Sequence, residues 1–280
     1  MLAFFKGLCY NAYTTIHCTY DPEGAHMLAE QRLAYILNEV KQNNFCTIQQ
    51  LAQGARVSPA TIRRDLQTLA SQDRVRLTRG GAMDKMANTA EEPEYAVKSM
   101  LNLEEKTRIA AEACRLIHPG ETILLDTGTT VYQMIQGLRQ IENITIVTND
   151  VRIAAELAMY PEISLCMLGG QVRKNYYTTT GLWTQQALES LHVDKCFLSC
   201  DAVHLLSGCS ITNVEEIAGK LSMMKASNEC VLLADHSKFQ SIAFMRLCDL
   251  TRFQSVITGS ELDRRIAQEY LDAGIRLRLV

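Results

Sequence analysis

The chain has 280 residues, of which 47% are hydrophobic, and a formal net charge of −3 at pH 7. This length and apolar content suit two domains, one small and one of ordinary α/β size. The negative charge excludes a uniformly basic nucleic-acid binder, and no apolar run approaches the ~20 residues that a membrane-spanning helix needs. Residues 1–10 lack the basic start and apolar centre of a signal peptide, so we expect a cytoplasmic protein without a membrane partner.

Residues 1–26 precede Met27 and the first predicted helix. We treat them as an N-terminal extension without assigned function, either upstream of the true start or a disordered tail. The ten cysteines include no Cys-x-x-Cys pair, which favours reduced thiols over disulfides or a metal centre. We therefore expect neither a metal nor a cofactor.

Two amphipathic helices are predicted first, from about residue 29 to 42 and from about 47 to 54. A tight connection, Gly54–Val57, then leads to a third helix. Two such helices and a turn before a third are typical of a helix-turn-helix unit. The apolar residues that recur at helical spacing are Leu33, Ile36, Leu37 and Val40, followed by Ile48, Leu51 and Ala52.

The third helix has a strong start signal and two distinct faces. Ser58 can cap the free amides of a first turn, and Pro59 suits the first helical position. Ile62, Leu66 and Leu69 share one face and would turn inward. A helix that offers Arg, Thr and Gln on its other side has the chemistry of a major-groove reader. Those outward residues are Thr61, Arg63, Arg64 and Gln67.

After this helix the hydrophobic pattern changes to period two and ends at Gly80 and Gly81. We interpret it as a β wing whose arginines can reach phosphate. Residues 27–82 contain eight Lys/Arg against four Asp/Glu, so positive charge is concentrated in this module. The alternative is a small helical module with a solvated basic face. The predicted DNA-binding residues are Ser58, Thr61, Arg63, Arg64, Gln67, Arg76 and Arg79.

Beyond a polar linker at residues 83–106, apolar runs alternate with helical patterns. This alternation predicts a doubly wound parallel sheet for residues 107–280. Ligands of such sheets bind at the carboxyl ends of the strands. The predicted strands are Thr122–Leu125, Ile144–Val147, Ile163–Leu168, Cys196–Leu198, Cys230–Leu233 and Val256–Ile257.

The predicted strands end in polar residues. The first ends at Asp126–Thr130, where Gly128 permits close backbone approach and two threonines offer hydroxyls. A helix from about 130 to 138 would add free amides, so this loop can hold a phosphate or carboxylate. Lys238 follows the fifth strand and suits anion capture. Ordinary helix capping is the alternative for these polar loops, and a plain ion pair with Asp235 is the alternative for Lys238. The other polar ends are Thr148–Asp150, Gly169 with Gly170, Asp201, and Asp235–Lys238.

Residues 29–82, with the run Arg63–Leu66 and the closing Arg79–Ala82, resemble the winged helix-turn-helix of the DeoR family of bacterial transcriptional repressors. Residues 104–258 resemble the family's effector domain, which is similar to the ribose-phosphate isomerase fold and implies a sugar-phosphate effector. Arg79 stands where the family commonly has His, and Ala202 and His204 replace a Gly and an Asp. Lys98 and Glu105-Lys106 match the family's basic residue and Glu-Lys pair. The predicted effector-binding residues are Asp126, Gly128, Thr129, Thr130, Thr148, Asn149, Gly169, Gly170, Asp201, Glu216, Lys220, Asp235 and Lys238.

The expected function is repression of a carbohydrate-utilisation operon, with release from operator DNA by a phosphorylated sugar and no enzyme activity. A sugar-phosphate isomerase-like enzyme is an alternative, because Asp201, Glu216, Lys220 and Asp235 offer candidate proton-transfer groups. The N-terminal helix-turn-helix favours the regulator, since an isomerase has no use for it. A transcriptional activator would share every residue. One recognition helix spans few base pairs, so we expect a homodimer or tetramer.

Overall fold

The computed structural model describes residues 27–43, 45–72, 74–78, 80–84 and 95–280. The predicted N-terminal extension, Arg79 and the centre of the predicted linker lie outside the described residues. Within the described ranges, none of the helices combines the length and the apolar character needed to cross a membrane.

The N-terminal module contains the three predicted helices and the wing. Its three strands are β1 (Phe45–Thr47), β2 (Val75–Thr78) and β3 (Gly81–Asp84). They form an antiparallel sheet in which β3 lies between β1 and β2. Strand β1, which is three residues long, was not predicted from the sequence; it pairs with β3 on the side away from β2. The elements are α1 Ala29–Asn43, β1 Phe45–Thr47, α2 Ile48–Ala55, α3 Pro59–Ser71, β2 Val75–Thr78 and β3 Gly81–Asp84.

The core of this module is formed by the apolar stripes that predicted its helices. Thr47 caps α2 with a reciprocal capping box, in which Gln50 bonds back to the Thr47 backbone. The connection to α3 passes through Arg56 in the left-handed conformation, at φ 53°. The buried core residues include Ile36, Val40, Leu51, Ile62, Leu66 and Leu69.

The C-terminal domain is an α/β structure around a seven-stranded parallel sheet. Its strand order is β15-β14-β12-β9-β4-β5-β6, so all six predicted parallel strands are confirmed and β15 is an addition. The helices are α4 Tyr95–Met100, α5 Leu103–Cys114, α6 Thr129–Tyr132, α7 Ile135–Leu138, α8 Val151–Leu157, α9 Leu182–Glu189, α10 Val214–Ala226 and α11 Arg264–Asp272. The sheet strands are β4 Thr122–Leu125, β5 Thr145–Thr148, β6 Ser164–Met167, β9 Val193–Ser199, β12 Ser227–Leu233, β14 Ser255–Thr258 and β15 Leu277–Leu279.

Two small antiparallel elements complete the domain: the ribbon β7 Gln171–Val172 with β8 Thr179–Thr180, and the sheet β10 Ala202–His204, β11 Gly208–Ile211 and β13 Met245–Cys248. This sheet explains how Ala202 replaces a glycine. Ala202 lies in β10 and pairs with Ser210, and an extended strand accepts a Cβ without strain. The ring Nδ1 of His204 accepts a hydrogen bond from the backbone N–H of Ser207 at 3.2 Å, so this side chain closes a turn.

The large sheet is covered on both faces, as a doubly wound fold requires. Successive residues of β4 point to opposite sides: Ile123 and Leu125 enter one hydrophobic cluster and Leu124 the other. The same alternation places Phe197 of β9 in the first cluster and Leu198 in the second. This arrangement brings the carboxyl ends of β4, β9 and β12 to one edge, where the polar strand ends meet.

Candidate functional site

The start of α3 has the geometry predicted from its sequence. The Ser58 hydroxyl oxygen accepts a hydrogen bond from the Thr61 backbone N–H at 3.2 Å and lies 2.9 Å from the Thr61 hydroxyl. Pro59 occupies the first helical position. Ser58 and Thr61 therefore form one polar corner at the amino end of the helix.

The outer face of α3 is exposed and carries no ion pairs among the described residues. Arg63, Arg64 and Gln67 all face solvent. Asp65, next to them in sequence, is instead buried and makes a bidentate ion pair with Arg32 of α1. This pair fixes α1 against α3. Arg76 is exposed on β2, so its position is compatible with a phosphate contact.

A pocket lies at the carboxyl ends of β4, β9 and β12. It brings together seven residues of the predicted effector set: Gly128, Thr129, Thr130, Asp201, Glu216, Lys220 and Lys238. The pocket is also lined by Tyr95, Lys98, Tyr176 and Ser199. These four were absent from the predicted set, and Tyr95 and Lys98 come from the segment predicted to be a polar linker.

The floor of the pocket is a buried ion-pair network. The ammonium of Lys220 contacts the Asp126 carboxylate and lies 3.7 Å from the Glu216 carboxylate. Burial alone would lower the pKa of Lys220, but these two carboxylates raise it above its usual value. Glu216 also accepts a hydrogen bond from Arg173 at 2.7 Å, and the Arg173 guanidinium stacks on Tyr176. Arg173 therefore belongs to the network.

A third acid, Asp201, and two further lysines, Lys98 and Lys238, lie at the rim of the pocket. The Asp201 carboxylate accepts hydrogen bonds from Lys98 Nζ at 2.6 Å and from the Thr212 backbone N–H at 2.8 Å. Although burial acts in the other direction, Lys98 and Lys238 hold the pKa of Asp201 below its usual range. Within the described chain, the Lys238 ammonium has no ion-pair partner. It is available for an anion.

The loop after β4 approaches Ser199 closely. Gly128 has φ +148°, and a Cβ there would lie 2.7 Å from the Ser199 Cβ, so only glycine fits without rearrangement. Thr129 and Thr130 follow it, and their hydroxyls form no hydrogen bonds among the described residues. The predicted helix from 130 to 138 is wrong in one respect: it is two separate turns, α6 and α7. Short turns sum few peptide dipoles, so the threonine hydroxyls and the lysines matter more than a helix dipole.

The other predicted effector residues lie outside the pocket lining. The Thr148 hydroxyl donates to the Leu125 carbonyl at 2.8 Å, and the Asn149 amide donates to the Thr178 hydroxyl at 2.9 Å. Asp126 reaches the pocket through its contact with Lys220. Asp150, from the same strand end as Thr148, caps α8, so capping explains part of the polar pattern.

Gly169 and Gly170 also lie outside the lining, in the connection between β6 and β7. The Gly169 carbonyl accepts a hydrogen bond from the Thr184 hydroxyl at 2.7 Å. A Cβ on Gly170, at φ +158°, would lie 2.6 Å from the Thr180 carbonyl oxygen. Gly170 thus lets the β7–β8 ribbon pack against the start of α9, whereas a Cβ on Gly169 would meet open space.

Asp235 lies behind the pocket with two residues that the prediction did not include. Its carboxylate accepts a hydrogen bond from Asn102 at 3.0 Å and lies 3.9 Å from Lys106, whose pKa burial lowers to about 8. Glu105, which is 1% exposed, bonds the backbone N–H and the ring Nδ1 of His236 at 2.7 and 2.6 Å. This hydrogen bond raises the pKa of His236. Glu105, Asp235 and His236 each offer one atom that could bind a metal ion, and these three atoms lie within 4.8 Å of one another. Hydrogen bonds between these residues and their neighbours already explain why the three side chains lie close together.

Comparison with known proteins places both halves of the chain. Models of the DeoR-like helix-turn-helix domain and the DeoR C terminal sensor domain match residues 32–85 and 101–260. The chain is 28% identical to the HTH-type transcriptional regulator GolR of Listeria innocua, over 90% of this chain and 99% of that protein. It is 32% identical to the HTH-type transcriptional repressor GlcR of Bacillus subtilis, over 88% and 93% of the two chains. Ribose 5-phosphate isomerase from Plasmodium falciparum covers 49% of this chain and 52% of its own, at 13% identity and TM-score 0.36, a likeness too distant to inform on function.

Proposed function

Since the chain belongs to the DeoR family of transcriptional regulators, we propose that it represses a carbohydrate-utilisation operon and leaves its operator when a phosphorylated sugar binds. The observation that carries the sugar-phosphate proposal is the pocket's donor set. Three ammonium groups, from Lys98, Lys220 and Lys238, converge on it beside two threonine hydroxyls that have no hydrogen bonds among the described residues.

On the DNA side, Arg63, Arg64 and Gln67 of α3 enter the major groove, with Ser58 and Thr61 at its edge. Their exposure, without ion pairs to other described residues, supports this role, because an arginine that binds guanine or phosphate through two hydrogen bonds must not be held by another group. Arg76 and Arg79 of the wing contact the backbone. At least two copies act together, as a homodimer or tetramer on repeated half-sites, in the cytoplasm where the DNA is.

On the effector side, Thr129, Thr130 and Lys238 hold the phosphate, while Asp201 and Glu216 orient sugar hydroxyls. A phosphate accepts hydrogen bonds, so hydroxyl and ammonium donors suit it, whereas carboxylates accept from the hydroxyls of the sugar. Thr148, Asn149, Gly169, Gly170 and Asp235 support these groups without reaching the ligand. Asp126 keeps Lys220 in place.

We further propose that the pocket binds the sugar phosphate without transforming it. A proton-transfer catalyst works best with a base whose pKa lies near the working pH. Here Lys98 and Lys238 keep the pKa of Asp201 low, and Arg173 and Lys220 engage Glu216. This favours a sensor over the isomerase-like alternative.

Operator release by sugar phosphates tests the proposal. A duplex selected by the parent protein from random DNA is followed by fluorescence anisotropy, while ribose 5-phosphate, glucose 6-phosphate or fructose 1-phosphate is added. One of them should release the DNA and raise the melting temperature, and the unphosphorylated sugars should do neither. Binding at a hundredfold excess over Kd adds about 2.7 kcal/mol of stability.

The double variant Thr129→Val/Thr130→Val should bind the duplex as the parent does but lose the response to the sugar phosphate. Thr251→Val, at an exposed threonine outside the pocket, is the matched control and should respond normally. A double variant that releases DNA at the parent's ligand concentration would place the phosphate elsewhere. Release of DNA that requires no phosphate group would contradict the proposed effector class.

A further inference from the structure

Helix α4 lies between the two matched family domains, which end at residue 85 and begin at residue 101. Two of its residues, Tyr95 and Lys98, nevertheless line the pocket. The pocket is therefore incomplete without a helix that belongs to neither matched domain and that directly precedes the sensor domain along the chain.

Tyr95 is held firmly but has an unused polar atom. Its side chain is 6% exposed, its ring packs edge-on against Tyr177 with centroids 4.9 Å apart, and the Arg152 guanidinium lies 5.1 Å from the ring centre. The Tyr95 hydroxyl is buried and has no hydrogen-bond partner among the described residues. Burial raises the pKa of Tyr95 well above its usual value, so the hydroxyl is a neutral donor. A buried hydroxyl without a partner is unfavourable, so its retention at a pocket needs an explanation.

Lys98 fixes α4 over the pocket. Its ammonium donates to Asp201 at 2.6 Å, and its backbone carbonyl accepts a hydrogen bond from the buried Lys106 ammonium at 2.5 Å. Both partners belong to the sensor domain. The position of α4 is thus determined by groups inside that domain.

The pocket under α4 is small in this state. Its cavity measures about 50 Å³, whereas small-molecule sites usually occupy roughly 300–1,000 Å³. A phosphorylated sugar can enter only if part of the wall moves. Helix α4 forms part of that wall, and the contacts that hold it there include the Lys98–Asp201 ion pair and the Lys106 ammonium on the Lys98 carbonyl.

We propose that α4 is part of the effector site: it shifts to admit the phosphorylated sugar, and the Tyr95 hydroxyl then donates a hydrogen bond to an oxygen of that ligand. This inference rests on the proposed function and adds to it a binding residue outside the matched sensor domain. The position of α4 then depends on the ligand. Because α4 lies along the chain between the DNA-binding module and the sensor domain, it links the pocket to that module.

Tyr95→Phe in the full chain tests this role, because it removes the hydroxyl and keeps the ring. Without ligand, the variant should melt at the parent's temperature or higher, since an unpartnered buried hydroxyl disappears. Its affinity for whichever of ribose 5-phosphate, glucose 6-phosphate or fructose 1-phosphate binds the parent should fall by about 3- to 10-fold, as measured by calorimetry. Tyr177→Phe, on the partner ring that is 40% exposed and outside the pocket lining, should keep the parent's affinity.

Hydrogen exchange of residues 95–100 gives the second measurement. The same sugar phosphate should change the exchange of α4 in the parent, and should change it less in Tyr95→Phe. Lower stability of ligand-free Tyr95→Phe, or ligand affinity equal to the parent's, would overturn the inference while leaving the proposed function intact. If none of the three sugar phosphates binds the parent, the proposed function fails and the role of α4 fails with it.

Discussion

Helix α3 and the pocket at the strand ends differ in how their charged side chains are paired. On α3, Arg63 and Arg64 stand in solvent, and the one nearby acid, Asp65, is turned inward to Arg32. In the pocket, Lys220 is buried against Asp126 and Glu216. An exposed arginine is already solvated and needs no internal partner, whereas a buried ammonium without one is very costly. Under the proposed function, DNA therefore contacts arginines that make no ion pair among the described residues, while a ligand of the pocket meets the paired Lys220 on the floor and the unpaired Lys238 at the rim.

Breaking the buried pair should have the largest effect on the protein. Lys220→Met leaves the Asp126 carboxylate, which is fully buried, without its counter-charge. We expect the free energy of unfolding to fall by about 3–5 kcal/mol. Denaturant titration measures it, with Lys225→Met, at an exposed lysine of the same helix, as the control. A loss of stability no larger than that of the control would show that the buried ion pair does not stabilise the pocket. Adding Asp126→Asn to Lys220→Met should recover part of the loss, because the unpaired buried carboxylate disappears.

Removing a cation from α3 should instead affect binding alone. Arg64→Ala should weaken operator binding by about 1–3 kcal/mol, or roughly 5- to 150-fold, with an unchanged melting temperature. Anisotropy titrations at several salt concentrations also separate a base contact from a phosphate contact. Loss of a phosphate contact reduces the salt dependence of operator binding, whereas loss of a base contact does not. Arg265→Ala, at an exposed arginine of α11, should have no effect. Parent-like affinity of Arg64→Ala at every salt concentration would show that another surface meets the DNA.

The smallest effect concerns His236, which is partly exposed and bonded to the buried Glu105. Its environment is therefore intermediate between that of the exposed Arg64 and that of the buried Lys220. The hydrogen bond that the His236 ring donates to Glu105 raises the pKa of His236 above its usual value near 6.5. Its contribution to stability is therefore fully present below about pH 6.5 and is lost as the pH rises through the folded-state pKa. The stability difference between the parent and His236→Gln should shrink over that range in thermal unfolding. A difference independent of pH would show that the ring contributes by packing.

The same contrast explains what the sequence could predict. The face of α3 is encoded locally, since Ile62, Leu66 and Leu69 turn inward and thereby set the direction of Arg63 and Arg64. The parallel strands were predictable because each is a continuous apolar run bounded by polar residues. The three-residue strands β1, β10 and β15 were missed, because a segment so short shows no periodicity.

The pocket was predictable as a set of strand ends but not as a set of contacts. Asp126 and Lys220 are 94 positions apart, and nothing in the sequence pairs them. Tyr95 and Lys98 stand in a polar segment whose composition indicated a linker, and only tertiary packing brings them to the sensor domain. The single helix predicted after Gly128 was wrong for a related reason, because tertiary packing decides its shape. Its apolar residues pack against the sheet from two short turns, α6 and α7, that do not form one continuous helix.

The two glycines before β3 are not equivalent, although they look alike in the sequence. A Cβ on Gly80 would meet open space, but one on Gly81 would lie 1.9 Å from the Cys46 carbonyl oxygen in β1. The Gly80 carbonyl also accepts the backbone N–H of Ile48, the first residue of α2. The position of the wing and the first turn of α2 therefore depend on each other. If the wing contacts the operator as proposed, exchanging an exposed side chain such as Arg76 can change operator preference, whereas reorienting the wing would also break the hydrogen bond at the start of α2.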